Sequence, residues 1–163
     1  MSNEASFCTI IVNSLEKYGF GYKIPDASGN YAQTSIRCCD IIGRMNDKAL
    51  YIEAKYNKDL AAFNLNRIEP HQAKYLVEFR KITGAIAFII LGMHVGHGDT
   101  RAYIFDWDSI KELYEKGFSF HAKELGLLPY NEVHKSLFDF ENIITKKEII
   151  EVYGDNVYGT SKV

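Results

Sequence analysis

Apolar residues recur at helical spacing in the first stretch of the chain: Phe7, Ile10, Ile11, Leu15 and Tyr18, with Gly19 and Gly21 just beyond. That pattern predicts an amphipathic helix over residues 4–18 closed by glycine. A short strand is expected at Phe20–Ile24. The Ser, Gly, Asn and Asp residues of Pro25–Gln33 make a loop, after which Ser35–Arg44 and Ala49–Tyr56 read as two strands folded about Asn46 and Asp47. Asn57–Ile68 is polar and irregular. Proline is tolerated in the first turn of a helix, so Glu69-Pro70 opens one that runs to about Ile82, before Gly84. Ala85–Met93 is a continuous apolar run and predicts a central strand buried on both faces. Thr100–Asp106 pairs with it across a glycine-rich turn. Asp106 or Asp108 caps a further helix reaching about Lys116, and helical pieces are expected around His121–Gly126 and Phe138–Tyr153. This order of elements is that of an α/β protein, a mixed sheet flanked by helices.

Length and composition narrow the picture. With 163 residues, 47% of them apolar, the chain supports one domain with a sizeable core. The longest apolar run is far shorter than the roughly 20 residues a membrane-spanning helix needs, and Met1–Ser6 lacks the charged-then-apolar start of a signal peptide. A soluble, cytoplasmic protein is expected. Cys8, Cys38 and Cys39 are odd in number and two are adjacent, which argues against a disulfide framework and for a reducing compartment. Their spacing with histidine makes no zinc site, and His94, His97 and Asp99 read as turn residues. The net charge of −2 gives no global attraction to nucleic acid, so a polyanion partner would need a local basic patch.

The hairpin about Asn46-Asp47 carries the chemistry. With those two residues as its loop, Met45 opposes Lys48 and, counting back, Asp40 opposes Glu53. Directly opposed like charges in an antiparallel ladder are destabilising unless neutralised, and a divalent cation would neutralise them. Alternation along the strand puts Glu53 and Lys55 on the face of Asp40, with Ile52 and Ala54 turned to the core. Two carboxylates and an amine then converge, a set suited to metal-assisted phosphodiester hydrolysis. The same alternation is common on solvated sheet faces. Two helix positions add to it. At about 100° per residue Glu4 falls within the arc of Phe7, Ile11 and Leu15, and Gln72 within the arc of Leu76 and Phe79, so an acid and an amide both point inward. Taken separately, Glu4 is also a first-turn acid complementing its helix dipole and Gln72 a capping amide. Arg37, Arg44, Lys48, Lys58, Arg67 and Lys74 cluster around this set in sequence, as a rim of DNA phosphate contacts would, and as a solvated charged face would equally.

Asp40, Glu53-Ala54-Lys55 and His71-Gln72, with Gly43, Tyr51-Ile52, Phe63, Leu65 and the apolar strand after Gly84, resemble the RecU family of Holliday junction resolvases, within the PD-(D/E)XK nuclease superfamily. The likeness spans most of residues 3–106 and echoes weakly near Glu124-Leu125 and Leu137–Ile144. It implies a restriction-endonuclease-like mixed β-sheet flanked by α-helices and a magnesium-dependent endonuclease that cuts four-way DNA junctions, with manganese as a substitute metal. It further implies that Asp40, Glu53 and the Ala54 carbonyl ligate the metal, that Lys55 serves the attacking water and that Gln72 supports the site. Because a resolvase nicks two symmetry-related strands, one site per chain implies a homodimer. A bacterium or a bacterial virus is the expected source. The alternatives are a nuclease for other branched, flap or duplex DNA, and a non-cleaving DNA-binding protein of the same fold. Two departures stand out. The family has Phe-Glu where this chain has Phe7-Cys8, which makes Glu4, one turn earlier, the candidate third acid at the metal. The family's long stalk is replaced by fourteen residues between Pro25 and Asp40.

Overall fold

The structure, a computed structural model, describes residues 3–25, 37–82 and 84–159. Helix α1 (Glu4–Leu15) starts at Asn3, whose side chain accepts the Ser6 N–H, and buries Phe7, Ile11 and Leu15 as expected. Strands β1 (Gly19–Lys23), β2 (Ile41–Met45) and β3 (Lys48–Asn57) form an antiparallel meander. A short strand β4 (Phe63–Asn64) and a 3-10 turn at Leu65–Arg67 break the stretch expected to be irregular, and helix α2 (Pro70–Arg80) follows with proline in its first turn. This helix is a crossover, because β5 (Ile86–Gly96) returns parallel to β3. Strand β6 (Asp99–Asp106) pairs antiparallel with β5, and Asp106 caps helix α3 (Trp107–Glu115).

The remainder is β7 (Ser119–Phe120), α4 (Ala122–Leu125), β8 (Asn131–Val133), β9 (Ile143–Ile144) and α5 (Lys146–Tyr153). The principal sheet runs β1-β2-β3-β5-β6-β8, with β9 parallel to β6, while β4 and β7 pair separately. Both faces of the sheet's centre are covered. Helix α1, with Phe138 and Phe140, packs on Ile41, Ile52, Ala54, Phe88 and Ile90, and α2, α3 and α5 pack on the opposite face over Ala87, Ile89, Leu91 and Phe105. β5 lies at the centre, and its apolar run reflects burial on both sides. At Gly92 an added Cβ would stand about 2.8 Å from the Phe7 ring, so the absence of a side chain there is what lets α1 lie close to the sheet.

Two expectations are corrected. The strand expected over Ser35–Arg44 begins at Ile41; Ser35 and Ile36, like most of the Pro25–Gln33 loop, lie outside the described residues, and residues 37–40 are bent rather than extended. The Cys38 and Cys39 sulfurs are 3.9 Å apart, which a straight strand sending neighbours to opposite faces would not permit. The helical reading of Phe138–Tyr153 holds only from Lys146. Residues 138–145 are irregular or extended, with Phe138, Phe140 and Ile144 buried, and α5 starts at Thr145, whose N–H and hydroxyl both donate to Glu148.

Candidate active site

The register of the hairpin is the expected one: Met45 opposes Lys48 across Asn46-Asp47, and the ladder continues to Ile41 opposite Ile52. It stops there. Asp40 comes next, its N–H donating to the Ile52 carbonyl at 3.0 Å and its carbonyl accepting the Ile24 N–H at 2.9 Å. Freed from strict opposition, its side chain turns onto the backbone of β3, where Oδ2 accepts the Ala54 N–H at 2.8 Å. Asp40 therefore lies against Glu53 at a fork between β2 and β3 instead of directly across from it in the ladder.

Asp40, Glu53 and Lys55 are 4, 2 and 7% exposed, a concentration of ionisable groups that a solvated sheet face does not have. Each is held. Glu53 Oε2 accepts Gln72 Nε2 at 2.6 Å and lies 3.4 Å from Lys55 Nζ. Gln72 Oε1 accepts both Lys55 Nζ, at 3.3 Å, and the Glu69 N–H, at 2.8 Å. Gln72 is thus a capping amide of α2 and a bridge between the glutamate and the lysine at once, so the two readings of this residue merge. Arg37 Nη2 lies 3.2 Å from Asp40 Oδ1.

Burial, and then the charge of Asp40, push the Glu53 carboxyl up from 4.5 to about 8 even with Lys55 beside it. Burial thus holds the ionised pair at a cost that one lysine and one arginine do not offset. Hard carboxylate oxygens in a buried, under-neutralised pair fit a divalent cation such as magnesium. Among the described residues no group of three or more His, Cys, Asp or Glu is gathered at ligating distance, so further donors would have to be the backbone or a side chain that moves.

Glu4 is brought to the edge of this set. It lines a small cleft with Ala5, Cys8, Lys23, Arg37 and Asp40. Partial burial raises its carboxyl above the ordinary value, with Asp40 acting in the same direction and Lys55, Arg67 and the Tyr56 N–H opposing. Cys8 is in the same cleft, and burial followed by the charge of Asp40 pushes its thiol up to about 12. A neutral thiol is a poor ligand for a hard cation. Accordingly, Glu4→Gln is expected to weaken divalent-cation binding at least about tenfold, the range for residues that support a metal site, while Cys8→Ala stays within about twofold. Titration calorimetry with magnesium checks this, and equal affinities for Glu4→Gln and wild type would contradict it.

The basic residues are spread more widely than their sequence positions imply. Arg67 is nearest in character to a site residue: its guanidinium donates to Asn57 Oδ1 and to the Tyr56 carbonyl, packs over the Phe63 ring, and acts on the charge of Glu4. Arg44 is exposed on β2 and Lys58 just after β3. Lys74 is exposed on α2, and Lys48 sits at the far end of β3, in a cleft with Arg80, Ile86 and Asp106. Five residues of strand separate Lys48 from Glu53, about 17 Å. Asn57 is what sequence reasoning missed: buried at the end of β3, it also donates to the Ala61 and Ala62 carbonyls and so fixes both the following loop and Arg67. A polar residue closing an apolar strand is its sequence signal.

An antiparallel meander joined through a helix to a parallel strand makes a mixed α/β sheet, with the acids, the lysine and the glutamine gathered where β2 and β3 part. The family model of RecU, recombination protein U, matches residues 23–151, and the chain belongs to this family. The matched segment begins after α1, so Glu4 and Cys8 fall outside it, and it extends to the C-terminal helix. Among solved structures the chain is similar to Hjc, a Holliday junction resolvase from the archaeal hyperthermophile Archaeoglobus fulgidus, at a TM-score of 0.43 and 21% identity over 61% of this chain and 75% of that one. No curated protein matches it in sequence. Among the described residues no helix is long and apolar enough to cross a membrane.

Proposed function

We propose that this protein is a magnesium-dependent endonuclease that resolves four-way DNA junctions by paired phosphodiester hydrolysis, working as a homodimer in the cytoplasm of a bacterium or of a virus-infected bacterial host. The observation that carries the proposal is the buried Asp40–Glu53 pair with Lys55 and Gln72 bound to it, in a chain of the RecU family. Asp40, Glu53 and the Ala54 carbonyl would hold the metal, with Glu4 as the further acid. A bound divalent cation would neutralise charge on the scissile phosphate and activate water. The protein's own part is positional. The Ala54 N–H fixes the Asp40 carboxylate, and Gln72 fixes Glu53 and Lys55 relative to each other. Lys55 Nζ, held by two acceptors, orients the attacking water and offsets negative charge that develops at phosphorus. Arg67, braced by Asn57, is oriented to meet a flanking phosphate.

Pairing of the nicks separates this reading from a nuclease for other branched or duplex DNA. On a supercoiled plasmid carrying an extruded cruciform, a dimer cutting both strands in one encounter yields linear product from the outset, and light scattering gives about twice the chain mass of 18.6 kDa. Nicked circles accumulating before any linear product, together with a monomeric mass, would overturn the paired mechanism.

A further inference from the structure

Strand β1 alternates two kinds of residue. Gly19, Gly21 and Lys23 face α1, where a Cβ on Gly21 would run into Leu15. Phe20 and Tyr22 face the other way and are 50 and 56% exposed, although such side chains are usually covered. The ladder fixes their neighbours. Tyr22 lies opposite Ile42, which lies opposite Tyr51; Phe20 lies opposite Arg44, which lies opposite Ala49. Since opposed residues share a face, these two rows occupy the side of the sheet that carries Glu53 and Lys55. Tyr51 is itself stacked on Phe79 of α2, with ring centroids 3.7 Å apart and planes at 7°, so α2 closes this face over β3. Over β1 and β2 it stays partly open, with Phe20, Tyr22 and Arg44 exposed and Ile42 half-buried.

Within this open area the Arg44 guanidinium lies 5.9 Å from the centroid of the Phe20 ring and donates to the Asn46 carbonyl. It enters none of the ion pairs among the described residues. Two strand spacings and two or four residues of rise place Tyr22 and Phe20 about 12 and 17 Å from Glu53 on a flat-sheet reckoning. That is a few nucleotides along a strand engaged at the carboxylates.

We propose that Phe20, Tyr22 and Arg44 form a stacking platform for nucleobases left unpaired where the DNA substrate branches. Exposed aromatic rings with a cation among them are the elements by which proteins hold unstacked bases, the rings taking π-faces and the cation the backbone charge. That the unpaired bases come from a branch rests on the nuclease reading above; the platform itself does not. A second copy of the chain is the competing occupant. It fits less well, since a two-fold contact centred on this patch would set Arg44 against its own symmetry mate with no carboxylate of the patch to separate them.

The test compares wild type with a Phe20→Leu/Tyr22→Leu variant, which keeps apolar area but removes both π-faces. Binding is measured in EDTA by anisotropy on a single-stranded oligonucleotide, a four-way junction and a linear duplex, with 2-aminopurine placed at the branch or within an arm, and with mass by light scattering. Wild type should change 2-aminopurine fluorescence at the branch more than in the arm. The variant should lose that difference and bind single strand and junction at least about tenfold more weakly, with duplex affinity within about twofold and mass unchanged. Unaltered affinity and fluorescence in the variant would overturn the platform, and a halved mass would reassign the face to a second copy. If wild type neither prefers nor cuts junctions, the nuclease reading falls, and the single-stranded arm still decides the platform.

Discussion

Replacing either member of the buried acid pair, by Asp40→Asn or Glu53→Gln, is expected to abolish DNA cleavage while leaving junction binding intact or tighter. The two carboxylates are the buried hard donors at the fork, and removing one leaves too few to hold a divalent cation against water. DNA affinity should not suffer, because neither substitution removes a basic group or adds negative charge where phosphate would approach. The same substitutions carry a signature in the metal-free protein that does not depend on activity. Glu53 is pushed up to about 8 in the folded chain against 4.5 ordinarily. Below pH 4.5 the carboxyl is protonated folded or unfolded and costs nothing. As the pH rises toward 8 the unfolded chain releases its proton first, and stability falls, by on the order of 3 kcal/mol at pH 7. In EDTA, therefore, Glu53→Gln should raise the Tm at pH 7 by several degrees and flatten its decline between pH 5 and 8. A variant that cuts at near wild-type rates, or whose Tm follows pH as wild type does, would contradict this role.

Lys55→Ala is expected to lower the cleavage rate by about 10²–10⁴ while magnesium binding, followed by titration calorimetry, persists. Lys55 Nζ contacts Glu53 and Gln72 and is nearly buried, so its charge is screened little and its position is set by two partners. Truncation removes a cation from beside the acid pair without removing a hard donor, so metal affinity should hold or rise. Gln72→Ala should reproduce part of the defect, since it releases Glu53 and Lys55 together and also leaves the Glu69 N–H at the start of α2 without its acceptor. Loss of magnesium binding in Lys55→Ala would make the lysine a structural support of the acids instead.

Much of this site was legible from residue order because its geometry is local. A two-residue turn at Asn46-Asp47 sets the hairpin register, alternation sets the face of Glu53 and Lys55, and helical period aims Glu4 and Gln72 inward. What was hidden depends on tertiary contacts. That the ladder ends at Ile41, releasing Asp40 onto the Ala54 N–H, follows from how residues 37–40 bend, which no periodicity records. Lys48 looked like a neighbour of the site because it is close in number, yet an extended strand carries it away at about 3.3 Å per residue. The extended run from Phe138 was obscured because buried Phe140 and Ile144 stand four apart, as on one face of a helix; the Thr145–Glu148 capping signature marked the true helix start. Phe20 and Tyr22 looked like half of an ordinary strand pattern, and the sheet leaves them open.

As proposed, the Asp40–Glu53–Lys55–Gln72 set serves as a metal-dependent nuclease site for branched DNA. Its most direct test is a gel assay of wild-type protein on an end-labelled four-way junction and on linear duplex of the same arm sequences, each with magnesium and with EDTA. Symmetric incisions near the branch of the junction are expected in magnesium, none in EDTA, and little cutting of the duplex. Binding of the junction without incision in magnesium or manganese would contradict it.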